Sequence, residues 1–201
     1  MLVLNSQIIG KLVQSIHTGS SIGQLKHAIV DYNNLKVIAY DVDGPLVKQE
    51  DLDILMTNDI REYAPVGAIV DSLDSLATGN DVVAVKHIRD VQFDPLHLKV
   101  KTKKGKKLGQ VVDFILDTQD FLIQQLIVRR PPMQALLDPE LTISRDKIVE
   151  VTDYYIVIND DTEKPKARAE KKQEAPEFVP NYVNPFKKPE LAPETESVVK
   201  D

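Results

Sequence analysis

Gly19-Ser20-Ser21-Ile22-Gly23-Gln24-Leu25 and Gly105-Lys106-Lys107-Leu108-Gly109-Gln110-Val111 are two versions of one phrase, set 86 residues apart (109 − 23). At the same offset Leu12 meets Leu98, Ile29 meets Ile115 and Asp31 meets Asp117, while Val30, Leu35, Val37 and Tyr40 meet Leu116, Phe121, Ile123 and Leu126. Self-similarity at a fixed period marks a duplicated structural unit. Further on the register slips by one, so that Asp59-Ile60 falls near Asp146-Lys147-Ile148. A loop of unequal length accounts for such a slip.

Each unit reads as short strands joined by turns. In the second copy Leu96–Lys101 is a predicted strand, and Lys103-Lys104-Gly105-Lys106 is a hairpin turn in which Gly105 accepts positive φ. Gly109–Asp117 is the returning strand, Asp117-Thr118-Gln119-Asp120 a polar turn, and Phe121–Arg129 a third strand rich in β-formers. Pro131-Pro132 ends it, and Met133–Leu137 is a short helical turn. Leu141–Ile143, Ile148–Val151 and Tyr154–Ile158 complete the unit. Phe121, Ile123 and Ile127 against Leu122, Leu126 and Val128 make the third strand apolar on both faces, which requires cover on both sides. The other copy is the simplest cover.

The G-x-x-x-G-Q pattern, with an Asp eight residues after the second Gly, resembles the PRC-barrel family. So do the apolar third strand, the segments Thr57-Asn58-Asp59-Ile60 and Ser144-Arg145-Asp146-Lys147-Ile148, and the closing apolar strand. PRC-barrels occur in the H subunit of photosynthetic reaction centres and in the C-terminal half of a ribosome maturation factor. The resemblance covers roughly residues 1–160 and implies a mainly β fold: two tandem small β-barrels packed together, serving as docking modules without an active site. Gly19, Gly23, Gly105, Gly109, Asp31 and Asp117 are then structural turn residues. The expected division is a first repeat at 1–75, a short helical connector at 76–93, a second repeat at 94–160 and a disordered tail at 161–201. In the stretch 71–90 that joins the copies, residues 72–76 and 82–88 are helical candidates, although β-branched valines oppose a helix.

The composition is that of a globular chain, with 42% hydrophobic and 28% charged residues. Cysteine is absent, which excludes disulfides and thiolate chemistry and fits a reducing cytoplasm. No signal peptide or run of about 20 apolar residues is seen, so a cytoplasmic protein without a membrane span is expected. The net charge of −6 argues against general nucleic-acid binding. Its distribution is uneven: the first 90 residues hold 7 basic and 12 acidic side chains, and residues 91–160 hold 10 of each.

Lys99, Lys101, Lys103, Lys104, Lys106 and Lys107 crowd one hairpin, as a grip for phosphates or an acidic protein surface, or as a solvated edge that blocks strand pairing. No aromatic residue is interleaved to stack bases. His17, His27, His87 and His97 lack ligand spacing, although His17 and His27 could face each other across the first hairpin. Asp41-Val42-Asp43-Gly44 fails as a calcium loop because Leu46 and Val47 fall on ligand positions, and Asp43-Gly44-Pro45 reads as a turn. Glu50-Asp51-Leu52-Asp53 is a second acidic cluster. No nucleophile elbow or phosphate loop is present, so neither an enzyme nor a bound cofactor or metal is expected.

The tail is proline-rich and charged, and cannot bury enough surface to offset its ordering entropy. Within it Phe178, Tyr182 and Phe186, spaced by Pro180 and Pro185, form a motif that either docks on a partner or folds back on a barrel groove. The sequence thus points to a non-enzymatic scaffold or adaptor for an unidentified protein partner. The alternative is an RNA- or ribosome-associated factor using the 99–107 hairpin. Self-association between the acidic first half and the basic hairpin is a further option.

Overall fold

The computed structural model describes residues 1–79, 82, 83, 85, 86, 88, 93–132, 135 and 138–159. The expectations for the 161–201 tail, for Phe178, Tyr182 and Phe186, for His87 and for most of the 133–137 turn lie outside the described residues.

The described residues are mainly β and form two seven-stranded sheets. The first contains β2 (Leu12–Ser15), β3 (Ser21–Asp31), β4 (Lys36–Asp43), β5 (Ile54–Met56), β6 (Glu62–Ala64), β7 (Gly67–Val70) and β8 (Leu76–Ala77), in the order β6-β7-β2-β3-β4-β5-β8. The second contains β9 (Lys99–Thr102), β10 (Lys107–Asp117), β11 (Ile123–Arg129), β12 (Glu140–Ser144), β13 (Ile148–Val151) and β14 (Tyr155–Ile158), in the order β12-β11-β10-β9-β14-β13. Its seventh strand is β1 (Leu2–Leu4), which pairs with Ile115–Asp117 of β10 and so places the first residues of the chain in the second sheet.

The duplication recurs in the strand pairing, apart from β1–β10 and β5–β8, which have no counterpart in the other sheet among the described residues. Parallel β2–β7 pairing has its counterpart in β9–β14. Gly10 and His97 both have positive φ and both donate their N–H to the facing strand, at Leu25 O and Val111 O. The offset here is 87, because Leu12 faces Gln24 as Lys99 faces Gln110, so Leu12 corresponds to Lys99 and not to Leu98 as expected. Asp31 and Asp117 accept from the N–H two residues on, as do Asn34 and Asp120. Leu35 and Phe121 then take positive φ, at 49° and 58°. The later slip, however, is of two residues, since Thr57 matches Arg145 and Ile60 matches Ile148. The extra residues lie between β11 and β12, where the first copy instead has the helix α2 (Pro45–Glu50), numbered after the single turn α1 (Asn5–Ile8). Asp43-Gly44-Pro45 is accordingly a strand end entering this helix, with Pro45 in its first turn and Asp43 paired with Lys48 at 2.7 Å.

Neither sheet closes into a barrel of hydrogen bonds among the described residues, which corrects the expectation of closed barrels. Both are nonetheless strongly curled. A flat run of six strands would hold its edges roughly 24 Å apart at about 4.8 Å per step. Yet edge strands β12 and β13 are joined by only three residues, Arg145–Lys147, wound as a 3-10 turn. The chain itself brings the edges together.

The apparent two-faced third strand also has a local cause. Leu116 pairs with Ile123 and Ile115 with Gln125, so Gln124 is an extra residue in β11 that shifts the alternation. Ile123, Leu126 and Val128 thereby share the core, while Ile127 is only half-buried. The first copy repeats the bulge at Ile38, which puts Val37, Tyr40 and Val42 inside. These side chains belong to one apolar cluster drawn from both copies. In the 71–90 stretch, residues 73–75 form a 3-10 turn and Val83, Val85, Lys86 and Ile88 are helical despite the valines. Val85 and Ile88 are buried against Ile29, Ala39 and Ile54 of the first sheet, and this burial outweighs the weak helix propensity.

Two predictions follow from the packing. A Cβ on Gly109, at φ 144°, would lie 1.9 Å from the Arg129 carbonyl oxygen, whereas one on Gly105, at φ 83°, would meet nothing within 4 Å. Urea titration should therefore show Gly109→Ala losing about 3 kcal/mol or more, and Gly105→Ala about 1 kcal/mol.

The Tyr40 hydroxyl is buried with no hydrogen-bond partner among the described residues, and burial, reinforced by neighbouring Tyr63, pushes this phenol far above its ordinary range. The unfolded chain ionises near pH 10 while the folded chain holds the proton, so stability falls as pH rises through about 10. Tyr40→Phe should match or exceed the parent by about 1 kcal/mol at neutral pH, and decline less steeply in alkali. A clear loss of stability at pH 7 would contradict the unpaired hydroxyl.

Candidate functional site: two grooves between the repeats

The two copies meet at their equivalent β-turns. Val37 N–H donates to Phe121 O and Ile123 N–H donates to Leu35 O, each at 2.9 Å, on either side of an antiparallel bridge between Lys36 and Leu122. Under the 86-residue offset the two hydrogen bonds exchange with each other and the Lys36–Leu122 bridge maps onto itself, so the contact is isologous, as in a two-fold dimer. Tyr40 of the first copy packs edge-on to Phe121 of the second, with ring centroids 6.4 Å apart.

A groove lies on each side of this contact. The first, of about 430 Å³, is bounded by the turn at residues 32–35 of one copy and by Arg145 and residues 148–151 of the other. The second, of about 740 Å³, is bounded by residues 118–121 together with Thr57, Asn58 and residues 60–63, with Met1 and Lys36 at its side. Position by position the linings are counterparts: Leu35 and Phe121, Arg145 and Thr57, Ile148 and Ile60, Glu150 and Glu62. In the first groove the Arg145 guanidinium donates to the carbonyls of Asn34, Leu35 and Ile123, the last at 3.2 Å. In the second, buried Thr57 donates to Val37 O at 3.2 Å and Ile38 O at 3.1 Å.

The lysine hairpin is placed differently from an edge. β9, which carries Lys99 and Lys101, lies between β10 and β14, so these lysines do not guard an open strand. Lys101 Nζ sits 3.4 Å from the centroid of the Tyr155 ring, a cation–π contact. Lys103, Lys104, Lys106 and Lys107 are exposed around Gly105 at the hairpin tip, and Lys103 N–H donates to Ile158 O at the end of β14. The hairpin is remote in sequence from both groove linings and contributes no residue to them.

Other sequence candidates are dispersed. Gly19, at φ 63°, occupies the turn matching Gly105, and Gly23 comes close to the Asp43 backbone where Gly109 approaches Arg129. Asp117 accepts the Met1 ammonium at 2.7 Å as well as the Gln119 N–H, and both hold its carboxyl below the usual range. His17 and His27 are not brought together: His17 N–H donates to Asp71 O at the first hairpin tip, whereas the His27 ring lies between Asp41 and Asp94, at 3.8 and 3.6 Å. Burial pushes the Asp94 carboxyl up, but hydrogen bonds from His27 and the Leu96 N–H, with the charges of His27 and His97, outweigh it and hold it low. Among the described residues no three His, Cys, Asp or Glu side chains are grouped to hold a metal ion, and no helix is long and apolar enough to cross a membrane.

Arg145 and Thr57 escaped the sequence reading as site residues. Their segments stand out in the sequence only as repeat motifs, and pairing Asp59 with Asp146 conceals their equivalence. No family model matches the chain, and no curated protein matches it in sequence.

Because Arg145 ties the Asn34 and Leu35 carbonyls of the first copy to Ile123 O of its own, Arg145→Ala should cost about 2 kcal/mol in a denaturant titration. Arg145→Lys should recover only part of it, since an ammonium cannot reproduce the planar fork. Full recovery by lysine would reduce the role of Arg145 to its charge.

Proposed function

We propose that this chain is a non-enzymatic scaffold or adaptor, a tandem of PRC-barrel-like repeats that binds a protein partner through the surface between the repeats and through the aromatic motif at 178–186. The observation that carries this reading is the pair of equivalent grooves flanking the repeat contact, where apolar side chains stand beside backbone acceptors. That mixture suits recognition of a polypeptide, which offers both apolar side chains and hydrogen-bond donors. The lack of cysteine fits work in a reducing cytoplasm.

A second reading, binding of RNA or a ribosomal surface, draws on one observation: Lys103, Lys104, Lys106 and Lys107 are exposed at a single turn. Phosphate contacts release counterions and weaken steeply with salt, whereas an aromatic anchor does not.

A native pull-down with the full chain, reading protein and RNA at two salt concentrations, separates the two. On the adaptor reading, the combined Phe178→Ala, Tyr182→Ala and Phe186→Ala variant loses its protein partner by about ten-fold or more, with little dependence on salt. Capture that is unchanged in this variant but abolished by salt, or by charge reversal at Lys103, Lys104 and Lys106, would transfer the assignment to the hairpin.

A further inference from the structure

The two grooves are built on equivalent positions but differ in several side chains, among them Val149 against Arg61, Val151 against Tyr63 and Arg145 against Thr57. In the first, Arg145 fills the floor and its guanidinium bridges the carbonyls of Asn34 and Leu35 from one copy and Ile123 from the other. Transferred to the second groove, these acceptors are the carbonyls of Asp120, Phe121 and Val37. The frame that presents them is the same: Phe121 O receives Val37 N–H as Leu35 O receives Ile123 N–H, both at 2.9 Å. A carbonyl oxygen has two lone pairs, and Leu35 O uses the second for Arg145. On the other side stands Thr57, whose short side chain satisfies Val37 O and Ile38 O and extends no further. The second groove is correspondingly the larger, at about 740 against 430 Å³.

We propose that the second groove is a receptor for the guanidinium of an arginine side chain from a partner protein, which takes the place that Arg145 occupies in the first. The protein source of that arginine rests on the adaptor reading; the slot itself does not.

The surroundings suit this ligand. Glu62 and Asp120 add carboxylates to the lining, and Ile60, Tyr63 and Phe121 offer apolar surface for the methylene stem. Three cations also line the groove: Lys36, Arg61 and the Met1 ammonium, which is held by Asp117 at 2.7 Å. Arg61 is already engaged by Asp71, through Nε at 2.7 Å and a second contact at 3.1 Å. Neighbouring carbonyls at fixed spacing favour a planar fork of donors over a point charge, so arginine is selected over lysine.

The test uses the full chain, isotope-labelled, titrated with N-acetyl-arginine methylamide and, separately, N-acetyl-lysine methylamide. The arginine probe should give saturable amide shifts at Asn58, Glu62, Asp120 and Phe121, with the lysine probe at least about ten-fold weaker. Thr57→Arg, which supplies an internal guanidinium, should abolish these shifts. Because that variant could fail to fold, Glu62→Lys at an exposed position is the second arm and should weaken the arginine probe at least about three-fold. Equal binding of the two probes, shifts that map instead to residues 32–35 and 148–151, or indifference to both substitutions would overturn the slot. Competition of the arginine probe with a captured protein partner would support both readings. Capture that the probe does not displace would leave the adaptor standing and remove the slot. Saturable probe binding without any protein capture would do the reverse.

Discussion

The fold turns on a pair of reciprocal backbone hydrogen bonds, Val37 N–H to Phe121 O and Ile123 N–H to Leu35 O. They form because Leu35 and Phe121 both take left-handed backbone conformations at the ends of equivalent turns. Such conformations are unfavourable for residues with a Cβ, at about 1–2 kcal/mol each. The side-chain caps from Asn34 and Asp120 and the burial of Leu35 and Phe121 offset that cost. Around this contact the two curled sheets share one apolar cluster rather than holding separate cores. A small sheet buries too little of its own surface to stand easily alone, and a shared core is the physical remedy.

A duplicated unit that pairs with its own copy inherits two equivalent clefts. Divergence then acts on each independently, because the linings come from different residues of one chain. Arg145 against Thr57 is one such change: one cleft carries its own guanidinium on these carbonyls, and the other presents the same backbone frame with a small hydroxyl. Elsewhere the copies have diverged without altering the frame, as at His97, which keeps the positive φ of Gly10, and Thr102, which is buried like Ser15.

The exchange of terminal segments adds to the interlocking. β1 lies against β10 of the second sheet, although residues 12–77 build the first. The connector meanwhile returns Val85 and Ile88 to the outer face of the first sheet. The expected boundaries between repeats therefore describe sequence similarity better than spatial grouping.

Sequence alone was enough to reveal the duplication, the β class, the turns at Gly19 and Gly105, and the aspartates that close the longer turns. These are local properties: a glycine at a positive-φ turn or an Asx cap acts within two or three residues. What it could not supply was set by distant contacts. The alternation of β11 misled because a bulge at Gln124 changes facing without any composition signal. The single-residue slip was wrong because two residues separate the copies between β11 and β12, and only cross-strand pairing reveals which positions correspond. Arg145 and Thr57 acquire their meaning from carbonyls 19 to 111 residues away. The repeat is written in periodicity along the chain, whereas the grooves arise from pairing between its copies, which no local pattern encodes.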